Sequence, residues 1–411
     1  MAGLLDFFWL RKKNNPSFDS LFEQRIRKIL IKERKSVSTG TAARRGRRYE
    51  KGYSKDSKLI CNFRTDSSPR GPECLVNPFF KNSGVFKDGV GERIRGKKQP
   101  KENTRLACFT IEETEFRDVM IALGKLKFKF ALISEPLQLK AYHLVDIRDE
   151  YARLSCSVDA ISVENGKTIG HSLSTTAAYS LLRKVFREAG PALRKRNLEI
   201  AILGSSSLAS AALAGLVLLL REEDYPSVAD GGEGKDSATK AVKTIKKEKR
   251  EATTKESQEH NIRCLFPDAQ DIKITIISGF EERASELKKL YKNFFSIKTL
   301  HTDAFKEGLE SADVLLNTSY SSLGVITKDD FPVVRWLPHG ALAVEFSLGN
   351  DDDPWPPAPL SENNNIRYFD WSYFASAYLS MLYAGITGDM QNPSSVRQII
   401  LTVQPEKGVV Y

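Results

Sequence analysis

Apolar positions in this chain come as short solid runs alternating with amphipathic stretches. The most informative stretch is 198–220, LEIAILGSSSLASAALAGLVLLL. Its first six residues are apolar apart from Glu199 and end at Gly204, which predicts a buried parallel strand. Ser205, Ser206 and Ser207 follow. An Ala- and Leu-rich run with no Gly or Pro before Gly215 then predicts a helix packed on a sheet. Strand, small-residue turn and helix start form a nucleotide-binding crossover. Its helix N-terminus offers N–H groups and a positive dipole end to a pyrophosphate. The turn holds one glycine, where the dinucleotide fingerprint uses several for a tight turn and close phosphate approach. The three serines read better as an ordinary helix N-cap than as a phosphate cradle.

Upstream, the pattern predicts strands at 58–63, 105–110, 128–133 and 160–163, and helices at 113–126, 139–154 and 175–189, with a short helix end at 78–84. Downstream it predicts strands at 272–277, 296–300, 313–316 and 342–346, and helices at 281–294 and 373–383. This alternation predicts an α/β fold with a mainly parallel sheet. Two segments break it. Residues 1–57 combine a helical spacing of Phe18, Leu21, Phe22, Ile26, Ile29 and Leu30 with a run holding Arg44, Arg45, Arg47 and Arg48. Residues 221–262 are almost devoid of apolar side chains and read as a charged insertion, either disordered or a solvent-exposed helix. Residues 351–359, with four prolines, read as an extended loop.

Charge refines the picture. The net charge is +10, and residues 1–60 carry 16 basic and 6 acidic side chains, leaving a balanced remainder. The basicity therefore belongs to the arm. Residues 11–55 would suit a nucleic acid or an acidic protein partner, although charge runs are also common as solvated tails. The five cysteines are dispersed without a CxxC pair, which predicts free thiols in a reducing compartment. No His, Cys and acid group has metal-ligand spacing, so no metal is expected. No apolar run has the length of a membrane span, so no membrane partner is expected. A cytoplasmic or nuclear location follows as the expectation. GERIRGKK at 91–98 is a near miss to a phosphate loop, with Lys98 in the hydroxyl position.

Over roughly 58–402, the order and spacing of these pieces resemble the shikimate dehydrogenase family. LVDIRDEYARLSCSVDAI, at 144–161, is similar to the family's helix running into the strand AVNTI. ENGKTIG, at 164–170, resembles its DGKLVG hairpin; Leu203-Gly204 falls at its GxGG turn; DVLLN, at 313–317, falls at its D-hydrophobic-N motif. The resemblance implies a substrate domain at 58–174 and a Rossmann-like domain at 175–375 carrying the 221–262 insertion. It also implies a C-terminal helix, 376–411, that returns to the first domain, behind the basic arm 1–57.

Carried over motif by motif, the resemblance puts the catalytic lysine at Gln138 and its partner aspartate at Ser174. It puts substrate contacts at Arg70, Pro72, Ser134, Asp159 and Ala375, with Asn77 retained from the first substrate motif. Cofactor contacts fall at Gly204, Ser205, Ser206, Ser207, Ser278, Gly279 and Asn317. A glutamine carries neither the positive charge nor the titratable proton needed at an alcohol being oxidised. Lys140 is two residues out of register. The arginine that grips the 2′-phosphate of NADP is replaced within Ser278-Gly279-Phe280, and Arg283 matches the following helix. His143 and His171 read as surface or satisfied core histidines. The resulting expectation is a shikimate-dehydrogenase-like protein without catalysis, a regulator or binding protein of shikimate or quinate metabolism similar to the fungal quinate repressor. It would need no cofactor, NADP being the one its fold would hold, and its ligand would be shikimate- or quinate-like. Two alternatives stay open: a divergent active NADP-dependent shikimate or quinate dehydrogenase, and an interaction protein that uses the basic arm.

Overall fold

The computed structural model describes residues 58–65, 68, 71–82, 104–125, 130–189, 197–221, 271–319, 321, 323, 326, 333–348, 366–387 and 390–402. The basic arm, Arg70, the stretch 91–98, nearly all of the insertion and the proline-rich loop lie outside these residues.

The fold is α/β with two six-stranded sheets. The first contains β1 (Lys58–Arg64), β2 (Thr104–Thr110), β3 (Phe130–Ile133), β4 (Ile147–Arg148), β5 (Ala160–Glu164) and β6 (Lys167–His171), in the order β2-β1-β3-β5-β6-β4. The second contains β7 (Asn197–Leu203), β8 (Asp271–Ile277), β9 (Ser296–Leu300), β10 (Val314–Asn317), β11 (Leu342–Glu345) and β12 (Arg367–Phe369). Its order is β12-β11-β10-β7-β8-β9, and every pairing is parallel. β10 and β11 are buried at every position, which matches their unbroken apolar runs.

The first sheet is mainly parallel, as expected, with β1–β2, β1–β3 and β4–β6 paired that way and one strand reversed. β5 runs antiparallel to both β3 and β6. The cause is local: Asn165 (φ 52°) and Gly166 (φ 74°) adopt positive φ and close a two-residue hairpin between β5 and β6. The single helix expected at 139–154 is corrected. The chain forms α3 (Leu137–Leu144), then β4, then α4 (Glu150–Ser155). Asp146 accepts hydrogen bonds from Thr168 N (2.8 Å) and Thr168 Oγ1 (2.8 Å), pulling the chain to the sheet. Asp149 then caps α4 by accepting from Ala152 N at 2.7 Å.

The remaining helices are α1 (Val76–Asn82), α2 (Phe116–Lys125), α5 (Leu173–Ala189), α6 (Ser207–Leu220), α7 (Glu281–Tyr291), α8 (Phe305–Leu309), α9 (Val333–Trp336), α10 (Trp371–Thr387) and α11 (Pro393–Ile400). The principal core is continuous across both halves. It joins Ile60 and Leu132 of the first sheet, Ile200 and Ile274 of the second, and the buried faces of α5, α6 and α10. α10 packs on α5, and α11 packs on α10 and returns to α1.

α6 is the central helix. Twelve of its fourteen residues are buried, as expected of a helix that is apolar on all sides. It approaches α5 closely at Gly215, where an added Cβ would sit 2.9 Å from Tyr179 N and 3.2 Å from Ala178 C. Tyr291, fully buried, seals the seam between the halves. Its hydroxyl lies 3.0 Å from Leu154 O and 2.9 Å from Ser210 O. Ser210 Oγ donates to Ser155 O at 2.5 Å.

Two glycines should respond oppositely to the same substitution. Gly215→Ala forces a methyl group onto the α5 backbone and should cost at least about 1 kcal/mol. Gly385→Ala, in α10, meets only the Phe130 ring at an ordinary 3.6 Å and should gain about 0.5–1 kcal/mol from helix propensity. Urea unfolding of both variants reads the difference; a Gly215→Ala protein as stable as wild type would refute the α5–α6 spacing.

Candidate functional site

The turn from β7 to α6 is built as a tight corner. Gly204 has φ +93°, and a Cβ there would lie 3.0 Å from Ser319 N and Cα; a side chain is excluded by conformation and by space. The following serines are all engaged internally. Ser205 Oγ and Ser278 Oγ share a hydrogen bond of 2.8 Å. Ser206 is the N-cap of α6, accepting from Leu208 N at 3.2 Å and donating to Thr318 O at 2.9 Å. Ser207 donates from both its backbone N–H and its hydroxyl to Glu135 Oε1.

Glu135 comes from the first sheet, at the end of β3. Its carboxylate therefore lies on the N-terminus of α6, where the helix dipole and orphan N–H groups favour an anion. Around this contact lies a cavity of about 390 Å³. It sits at the carboxyl ends of β7 and β8, beside the switch point where strand order reverses between β7 and β10. Gly204, Ser205, Ser206, Ser207, Ser278 and Gly279 all line it. Arg283 lines it as well, with Nη1 2.7 Å from Glu286 Oε2. Asn317 is fully buried and organises the turn after β10: it donates to Glu345 Oε1 (2.6 Å) and Ser321 O (2.8 Å) and accepts from Ser319 Oγ (2.7 Å).

Gln138, Ser174 and Pro72 meet around a second cavity, of about 30 Å³. On that measure one water takes about 10–15 Å³, so no sugar-sized ring fits. Gln138 is 8% exposed and committed to structure. Its Nε2 donates to Ile133 O at 2.9 Å, and its Oε1 accepts from Ser157 Oγ at 3.3 Å and from Ser207 Oγ. Lys140 does not replace it; it pairs with Glu113 at 2.6 Å, half exposed. Ser134 lies behind the cavity wall, donating to Glu73 Oε1 (2.5 Å) and facing Asn62 Oδ1 (3.2 Å). Ala375 belongs to the core and does not line this cavity; Tyr378, three residues along α10, does. Arg70 lies outside the described residues, as does the side chain of Asn77.

Asp159 caps α5, with Oδ1 2.7 Å from Leu173 N and Oδ2 2.6 Å from Ser174 N. Burial pushes its carboxyl up to about 6, against the lowering effect of its bonds to Ser174 and Leu173. Burial also raises Glu73, with Asp159 adding to the rise. Tyr378 is raised by burial and by both carboxylates. Glu73, Glu135 and Tyr378 are the site residues that motif reasoning misses. His171 completes a chain, Ser162 Oγ to Nε2 and Nδ1 to Asp149 Oδ2, each 2.9 Å. Neither cavity touches it, and it ties the hairpin to the α4 cap.

Asp159 gives a pH signature. An unfolded aspartate titrates near 4, and the folded one near 6, so the folded state holds the proton more tightly. Stability is therefore lost as pH rises from about 4 to 7, by up to about 3 kcal/mol. Asp159→Asn removes this titration but strands one N–H of the α5 cap. The wild-type advantage over the variant should shrink by that amount across the window; a constant gap in denaturation curves would disprove it.

No known family profile matches the chain, and no curated protein matches its sequence. Solved structures do match its fold. The quinate dehydrogenase of Corynebacterium glutamicum, in complex with NAD, has a TM-score of 0.54 at 12% identity, covering 85% of this chain and 100% of that one. The shikimate dehydrogenase of Mycobacterium tuberculosis gives 0.53 at 12% identity, covering 84% and 100%. The 5-ketofructose reductase of Gluconobacter sp. strain CHM43 gives 0.50 at 12%, covering 85% and 100%. At such identity the likeness speaks for architecture alone: this chain has the two-domain α/β fold seen in shikimate and quinate dehydrogenases.

Proposed function

We propose that this protein is a shikimate-dehydrogenase-like protein that does not carry out hydride transfer and acts as a binding or regulatory protein connected with shikimate or quinate metabolism. One observation carries the reading. The position expected to hold the proton-handling lysine is Gln138, whose amide is bound to Ile133, Ser157 and Ser207 in a cavity with space for little more than water. An alcohol oxidation needs a group there that takes a proton and offsets developing negative charge. Gln138 does neither, and Ser174 supplies no carboxylate. The pyrophosphate of a dinucleotide also fits poorly, because the Glu135 carboxylate already sits on the Ser207 N–H at the helix end that would receive it. What supports a binding role is the larger cavity, whose volume of about 390 Å³ falls within the range of small-molecule sites. The basic arm, by its charge, suits an acidic partner and supplies a route from ligand binding to regulation.

Steady-state assays with shikimate and quinate against NADP and NAD test this directly. The expected result is no turnover; a rate of about 1 per second or more would overturn the reading. The correspondence with the dehydrogenases is tested separately. Gln138 and Ser174 line one small cavity, so Gln138→Lys and Ser174→Asp should couple favourably in a double-mutant cycle, by about 0.5–3 kcal/mol, without gaining activity. Zero coupling would separate the two positions and remove the basis for carrying over their roles.

A further inference from the structure

We propose that the cavity at the carboxyl ends of β7 and β8 is a site for a nucleoside-class ligand that carries no phosphate, neutral or cationic, with a flat ring and hydrogen-bond donors. The inference rests on the reading above, because a protein that transfers no hydride has no need of a dinucleotide.

The first argument is electrostatic. In a nucleotide crossover the phosphate lies on the helix N-terminus. Here that place is filled from within by Glu135, which accepts from Ser207 N and Oγ. The next N–H, of Leu208, is taken by Ser206 Oγ. A phosphate there would meet a carboxylate at close range. Arg283, the only cation among the described lining residues, is already matched by Glu286 at 2.7 Å. The local charge therefore opposes an anionic ligand and suits a neutral or positive one.

The second argument is what remains on offer. Among the described residues, Glu135 Oε2 makes no hydrogen bond, and Glu135 lines both cavities. It is an acceptor for a ligand amine or hydroxyl. Leu203, Ile277 and Phe305 form an apolar wall, with the hydroxyl-bearing Thr302 beside them. Phe280, another lining residue, is 70% exposed. An aromatic face left open on an apolar cavity is a stacking surface for a flat ring. The volume of about 390 Å³ is at the lower end of ligand sites, which suits a nucleoside better than a dinucleotide.

Isothermal titration of the full chain with adenosine, NADP and inorganic pyrophosphate tests this. Adenosine should bind at millimolar concentration or below, and NADP and pyrophosphate at least about tenfold more weakly. Phe280→Ala should weaken adenosine about tenfold while leaving the melting temperature unchanged, since its ring is mostly exposed. Glu135→Ala should strengthen pyrophosphate about tenfold or more by vacating the helix end. Glu135→Gln, which keeps the acceptor and removes the charge, should move pyrophosphate the same way if the alanine variant does not fold. Wild-type binding of NADP or pyrophosphate as tight as that of adenosine would overturn the inference, as would failure of adenosine to bind at millimolar concentration. NADP bound as tightly as adenosine without turnover refutes this inference and leaves the non-catalytic reading standing; turnover refutes that reading itself.

Discussion

The structure depends on the burial of α6. A helix apolar around its whole circumference has no face to give to water, so it must be enclosed by the second sheet, α5 and the first domain together. Enclosure brings a second obligation. The N–H groups of its first turn lie inside the protein, where an unpaired donor is costly. Ser206 satisfies one from within the helix, and Glu135 satisfies another from the opposite domain. The positive end of the helix is thereby neutralised by the chain itself.

That arrangement sets both cavities. The corner from β3 to α3 delivers Glu135 and Gln138 to the same serine, Ser207. On one side this draws the domains together until little more than water-sized space is left between Gln138, Ser174 and Tyr378. On the other it leaves an apolar hollow against β7 and β8. Asp159 is shut behind the smaller space and Glu73 lines it, and burial raises the carboxyl groups of both.

Much of the fold was legible because the inner strands of the second sheet are buried, β10 and β11 at every position. β7, β8 and β9 lie where their apolar positions predict. The first sheet was harder to read. β4 is two residues long, and the breaks around it depend on Asp146 and Asp149 finding partners near residues 168–171. β12 is three residues long and α11 only eight, too short for either to stand out as an element. At the site, motif alignment led to Gln138 and Ser174, which do line one cavity. It could not lead to Glu135, whose partner is 72 residues away and shares no local pattern with it. Ala375 shows the limit of register on a helix: the alignment selects a core position, and Tyr378, nearly one turn on, reaches the cavity.

Tyr291 has a consequence for how the molecule comes apart. Its phenol bridges α4 of one domain and α6 of the other from a fully buried position, and Ser210 repeats the link. Separating the halves would break both links and open the apolar seam around them to water. Neither half can melt while the other persists without exposing that seam and the core they share. The two domains are distinct in topology but form one cooperative unit, and partial unfolding is confined to segments that do not cross it.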